Sequence, residues 1–166
     1  MDVETLRVLA RYNTWADQVL FAAMMDLPEG AIHRETNTLF RSMIGTLNHN
    51  HQVDLIWQAH LTGRQHGFSS RRDVLYPRFE DLIQAQASAN LWFENWVEQQ
   101  TPATLSETRQ FKFTSGQSVQ MQKGAMFLHV INHKTYHRGW VSQMFFDVGM
   151  EPPETDLSVY LTRSAP

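Results

Sequence analysis

Three histidines recur every fourth residue in the run FLHVINHKTYHRGW: His129, His133 and His137. In a helix, positions four apart are offset by about 40°, so the three rings lie near one face. Neutral imidazole is the commonest metal ligand, and two histidines at i, i+4 can grip one ion from one helix. Without a metal, a polar network or solvent, three such rings along a buried stripe would be costly to desolvate. Two ligands rarely complete a tetrahedral or octahedral site, so the pattern asks for a third from another helix. The stretch GTLNHNHQVDLIW offers His49 and His51. The same H-x-x-x-H spacing also occurs in exposed or hydrogen-bonded pairs with no metal. Lys134 stands where the H-E-x-x-H metalloproteases carry their general base, which argues against that kind of proteolysis.

These residues need long helices to position them, and the pattern supplies four. The first is predicted from about Val3 to Leu27, with Leu6, Leu9, Tyr12, Ala16, Val19, Leu20 and Ala23 at three-to-four spacing. Pro28-Glu29-Gly30 closes it. The second runs from about Phe40 to Leu61 and ends at Gly63. A polar, Gly-containing loop follows, in which Arg71-Arg72 reads most simply as solvated. The third runs from about Phe79 to Gln99 and is stopped by Thr101-Pro102. Alternation of Phe111, Phe113, Val119 and Met121 around Ser115-Gly116 predicts a short hairpin, which must pack on helices to be stable. The fourth helix runs from about Gln122 to Val148, and the tail TDLSVYLTR adds one or two turns. The expected fold is all-α: one domain over residues 1–166, a four-helix bundle with a small β-hairpin before the last long helix.

On the fourth helix a wheel centred on His133 collects Met126, His129, Val130, Tyr136, His137, Trp140, Val141 and Met144, so this face is expected to point inward. On the second helix, His51 lies near the apolar stripe of Phe40, Met43, Ile44, Leu47 and Leu55. His49 shares a small-residue face with Ser42, Gly45, Thr46, Val53 and Ile56, which leaves room for a ligand or a close helix contact. Periodicity puts His51 inward, and the choice between the two stays open on this ground.

Composition narrows the functional classes. A net charge of −3 without a basic block argues against nucleic-acid binding through a phosphate-neutralising patch. With no cysteine, disulfides, thiolate metal sites and a cysteine nucleophile are all excluded. That suits a reducing cytoplasm. The first residues lack the apolar core of a signal peptide, and no apolar run is long enough to span a bilayer.

The motifs together resemble one family. HVINHKTYHRG is similar to the N-H-x-x-x-H-R-G signature of the DinB family of damage-inducible, metal-binding four-helix proteins. SMIGTLNHNHQVDLIWQAHLTG resembles that family's S-I-G-x-L-x-H segment with a following Asp and Trp. RYNTWADQVL and GMEPPETDLSVYL resemble its first helix and its closing segment. Trp140 departs from the Gln that many members carry after H-R-G. The resemblance implies a site of His49, His133 and His137, one ligand from the second helix and two from the fourth, with His129 in the surroundings. It also implies a divalent ion, zinc or nickel, and a homodimer. Relatives in the wider superfamily include thiol-dependent transferases.

A three-histidine site leaves positions open for water or substrate. Three neutral imidazoles leave the centre cationic and receptive to a thiolate, carboxylate or hydroxide. Since the chain has no cysteine, a thiol must arrive as a low-molecular-weight cofactor. The expected activities are metal-dependent hydrolysis and thiol-dependent transfer, on a small-molecule substrate. The alternative is a non-catalytic, metal-stabilised dimeric stress-response protein. Asp54 is off the face of His49 and reads as a structural hydrogen-bonding group, and Arg138 reads as a salt-bridge partner before a site residue. Asn132 can orient backbone or a ring. Tyr12, Trp15, Trp57, Tyr136 and Trp140 fit core packing or an aromatic pocket. Met24, Met25, Met121, Met126 and Met144 fit core or interface gaps. His33, His60 and His66 are expected to be exposed.

Overall fold

A computed structural model describes residues 2–163. Helix α1 spans Val3–Met25, with the Asp2 carboxylate accepting from the backbone N–H groups of Glu4 and Thr5. A 3₁₀ turn at Ala31–His33 follows. Helix α2 spans Met43–Thr62 and is closed by Gly63 in left-handed backbone at φ 70°. Helix α3 spans Phe79–Glu98, and the short α4 spans Pro102–Ser106. Thr101-Pro102 therefore ends one helix and begins another: the Thr101 hydroxyl caps Thr104 N–H, and proline costs nothing at the first helical position. Strands β1 (Thr108–Lys112) and β2 (Ser118–Gln122) pair antiparallel with Phe111 opposite Val119. Helix α5 spans Lys123–Phe146 and α6 spans Leu157–Arg163. The four long helices form the expected bundle, with α2 against α5 and α1 against α3 the most extensive pairs. No helix among the described residues is long and apolar enough to cross a membrane.

The core is divided. One apolar cluster gathers Leu6, Ala10, Val53, Trp57, Phe93, Val97, Phe127 and Val130. The other gathers Leu20, Met24, Ile44, Leu47, Leu82, Val141 and Phe145 at the opposite end. Between them every long helix contributes buried polar side chains: Asn13 and Asp17 from α1, Asp54 from α2, Gln86 and Asn90 from α3, Lys134 and Arg138 from α5. Lys134 is 1% exposed and Arg138 2% exposed. Lys134 Nζ lies 2.7 Å from Asp17 Oδ2 and 2.9 Å from Asp54 Oδ2. Arg138 donates to Asn13 at 2.8 Å and to Asp17 at 3.3 Å. Gln86 donates to Asp54 and Asn90, and Asn90 donates to Asp17. Two cations face two carboxylates, so the layer is neutral as a whole. Burial alone would raise the Asp17 carboxyl, but Lys134 and Arg138 outweigh it and hold the group below its ordinary value.

This layer corrects the expected orientation of α5. The stripe that enters the bundle is Phe127, Ile131, Lys134, Arg138, Val141 and Phe145, all buried. Tyr136 is exposed and His129 lies at the surface. Met126, Val130, His133, His137 and Met144 form a neighbouring stripe turned toward the seam with α2. In that stripe His133 is only half-buried, while His137 is buried.

Replacing Lys134 with alanine leaves two buried carboxylates without their shared cation. Urea unfolding at pH 7 is expected to show a loss of about 3–5 kcal/mol, the usual cost of orphaning a buried ion pair. A loss under about 1 kcal/mol would show that the layer does not hold the bundle together.

Candidate metal centre

The seam between α2 and α5 brings His49, His133 and His137 together. One ligand atom from each ring can be chosen so that all lie within 4.8 Å of one another. His49 Nδ1 lies 2.7 Å from the Arg71 carbonyl oxygen. A carbonyl only accepts, so Nδ1 carries the proton, and neutral His49 presents a bare Nε2 to the cluster. That Nε2 stands 3.1 Å from His133 Nε2. Two such nitrogens face each other comfortably only with a proton or a cation between them.

The arrangement fits a metal. Nitrogens bound at about 2.1 Å around a tetrahedral ion stand about 3.4 Å apart, so the His49–His133 approach is already at ligand spacing. The full set is slightly more open. His133 Nδ1 and His137 Nδ1 are buried with no protein hydrogen-bond partner. The three ligand-type residues include no carboxylate, which suits zinc or nickel better than magnesium or calcium.

Local structure fixes His49 from two sides. The Phe40 ring stacks on it with centroids 4.0 Å apart and planes at 15°. The chain reaches this position because residue 45 is glycine: a Cβ there would lie 2.1 Å from the Phe40 carbonyl oxygen. The Ser42 hydroxyl accepts from Gly45 N–H and caps the same turn. The Arg71 carbonyl holds the far side of the ring.

The other histidines separate cleanly. His51 is buried on a different side of α2, beside Gln86 Oε1 at 3.3 Å, and belongs to the edge of the polar layer. The periodicity that put His51 inward is right, yet His49 is buried too, because α2 is enclosed on nearly every side. His129 packs on Trp57 with centroids 4.6 Å apart and flanks His133 at 5.7 Å. His33 is exposed, as expected, and His66 is half-buried. His60 departs from expectation. It is buried against Trp57 and Phe111, and desolvation, reinforced by His66, pushes its ring down to about 4. The hairpin packs over the end of α2 and covers it, which the helix-end position did not reveal.

Asp54 and Arg138 take structural partners in the polar layer and do not touch the trio. Asn132 is exposed. Tyr12 is buried and donates to the Thr155 carbonyl, and Trp15 packs on Tyr160. Tyr136 and Trp140 do reach the centre, with centroids 5.0 and 4.8 Å from His137. Met126 and Met144 are core, whereas Met25 is exposed. Phe40 and Arg71 are the site neighbours that spacing alone missed. A stacked ring three residues ahead of a helix has a weak signature, and a loop carbonyl has none.

A cleft of about 370 Å³ opens beside the trio. Val53, Ile56, Trp57 and Met121 give it apolar walls, and His60, His129, His133, Arg71 and the hairpin tip complete it. Among the described residues no Asp or Glu lines it.

The DinB family model matches residues 1–165. The chain is 27% identical over 167 residues to Protein DinB of Bacillus subtilis (strain 168), which covers 92% of this chain and 91% of that protein.

Burial, followed by the neighbouring His137, His49, His129 and Lys134, pushes the His133 ring down to about 2; burial and His49 push His137 down to about 4. Both lie below the ordinary 6.5, so the unfolded chain takes up protons first as the pH falls through that value. Their contribution to stability is therefore full above about pH 6.5 and declines in acid. Metal-free protein is expected to show a falling denaturant midpoint between pH 7 and pH 5, with a shallower fall in His133→Gln. A midpoint that stays level over this range in the unsubstituted protein would contradict a trio held neutral by desolvation.

Proposed function

This chain belongs to the DinB family, and from that premise we propose that His49, His133 and His137 hold one divalent metal ion at the wall of a small-molecule cleft, as the centre of a metal-dependent enzyme. The observation that carries this reading is the placement of His133. It belongs to the trio and also lines the cleft. Among the described residues no fourth His, Asp or Glu joins the trio's set of mutually close ligand atoms, His129 only flanking it, and this suits a catalytic centre, since structural sites close their coordination with protein ligands. Zinc or nickel is the proposed ion.

A divalent ion held here supplies Lewis acidity, acidifying a thiol or water brought to it and polarising an electrophile. The chain's own residues supply the rest. Burial keeps the imidazoles neutral and available as donors. Phe40 and the Arg71 carbonyl fix the plane and tautomer of His49. Trp57, Ile56 and Val53 exclude water from one side of the substrate.

Thiol-dependent transfer is favoured over hydrolysis. Among the described residues no carboxylate lines the cleft, and of those that do line it His129 and His60 are the ones left to serve as the general base that hydrolysis needs. A thiol acidified by the metal needs less help, and the cysteine-free chain leaves that thiol to a small cofactor. The proposal extends to a single domain working as a cytoplasmic homodimer, by analogy with the family. A metal-stabilised stress-response protein without catalysis is the competing reading. It would need no cleft at His133.

Elemental analysis of protein purified without chelator is expected to give about one zinc or nickel per chain. His133→Ala should remove it. His49→Ala should weaken metal affinity at least tenfold more than His51→Ala, a difference of about 1.4 kcal/mol. Equal losses at positions 49 and 51, or stoichiometric metal in His133→Ala, would overturn the ligand assignment. Metal-loaded protein is expected to turn over electrophile-plus-thiol pairs above the His133→Ala background, and no excess over a broad panel would leave the non-catalytic reading.

A further inference from the structure

The cleft beside His133 does not end at its apolar walls. A second, polar bay of about 360 Å³ adjoins it, lined by Ser69, Ser70, Arg72 and three residues that also line the first: Arg71, Thr114 and Ser115. The two bays thus meet at one cation and two hydroxyl side chains. Neither Arg71 nor Arg72 forms an ion pair among the described residues, whereas the cations that build the fold, Lys134 and Arg138, are both paired. Arg71 is also anchored through its backbone, because its carbonyl accepts the His49 N–H. Its Cα is therefore fixed relative to the metal centre while its side chain stays exposed at the junction. A guanidinium carried on an anchored backbone, free of ion pairs among the described residues and beside an apolar wall, is suited to recognise a planar anion.

We infer that the site selects an amphiphilic small molecule: an apolar body seated between Trp57, Ile56 and Met121, with a carboxylate reaching outward to Arg71. Arg71 is the specificity-determining residue. Arg72 and the Thr114 and Ser115 hydroxyls make the rest of the outer bay polar. The first bay alone is of the size that holds one drug-sized group, so a substrate spanning from His133 to Arg71 fills it and emerges at the junction. This inference names a substrate class for the centre proposed above and rests on that reading for its catalytic meaning. The binding preference itself does not require the metal.

The test uses 4-phenylbutyrate and its neutral amide as probes. Affinity is measured by calorimetry on the full chain, metal-loaded and after chelation, with Arg71→Ala and Arg71→Lys alongside. The expected result is a preference for the carboxylate over the amide of about tenfold in both metal states. Arg71→Ala should abolish the preference while still binding the amide and retaining its metal, and Arg71→Lys should keep part of it. A preference that vanishes on chelation would place the anion at the metal and overturn the role of Arg71. An unchanged preference in Arg71→Ala, or no binding of either probe, would also overturn the inference. If the protein holds no metal yet the preference persists and depends on Arg71, the proposed metal centre fails and the substrate class stands.

Discussion

Lys134 carries a positive charge into the centre of the bundle, 2.7 Å from one carboxylate and 2.9 Å from another, on three different helices counting its own. Taking such a group from water costs several kcal/mol unless its partners are placed well. Asp17, Asp54 and Asn90 can be placed so only if α1, α2 and α3 sit at one height and one rotation against α5. Arg138, one turn further along, repeats the demand through Asn13, Asp17 and Tyr12. Apolar clusters above and below supply the burial that drives association but accept many registers. The polar layer accepts very few. It selects the arrangement, and the apolar ends stabilise it.

That selection fixes the histidines. His133 is the immediate neighbour of Lys134, and His137 precedes Arg138. Successive residues on a helix point about 100° apart, so docking the two cations toward the bundle centre turns the two histidines toward the α2 seam. Asp54 does the same for α2, five residues after His49. The layer and the trio are thus two consequences of one helix rotation. The H-R dipeptide at 137–138 and the H-K dipeptide at 133–134 each pair a seam-facing ring with a core-facing cation. This also explains why α5 cannot be read from a single apolar stripe: it carries two, side by side, with Val130, Val141 and Met144 compatible with either.

Much of the fold was legible because it is written in strong local chemistry. Gly63, Pro28-Glu29-Gly30 and Thr101-Pro102 end helices within a few residues of where the chain ends them. The alternation around Ser115-Gly116 marks the hairpin. Three-to-four spacing finds all four long helices. The polar layer was not legible, because lysine and arginine are placed in solvent by default. Its signal lay in pairs four apart on three helices: Asn13 with Asp17, Gln86 with Asn90, Lys134 with Arg138. The choice between His49 and His51 was beyond periodicity for a different reason. Helix α2 is enclosed on nearly all sides, so an inward direction does not exist to be found. Resemblance to the family pointed to His49, and the structure puts that residue against His133 and His137. The contributions of Phe40 and Arg71 arise from loops, whose path no spacing rule describes.

The picture that results is a clamp between two helices, held in register by charges on their other faces and open on one side to an amphiphilic cleft. The clamp depends on the trio holding a metal with room left for a ligand. X-ray absorption at the metal edge of protein loaded with zinc or nickel tests this most directly, before and after addition of a small thiol. The expected result is three imidazole nitrogens at about 2.0–2.1 Å together with a light-atom neighbour, replaced by a sulfur neighbour when the thiol is added. A shell of four protein donors that the thiol leaves unchanged, or a metal with fewer than three imidazoles, would contradict it.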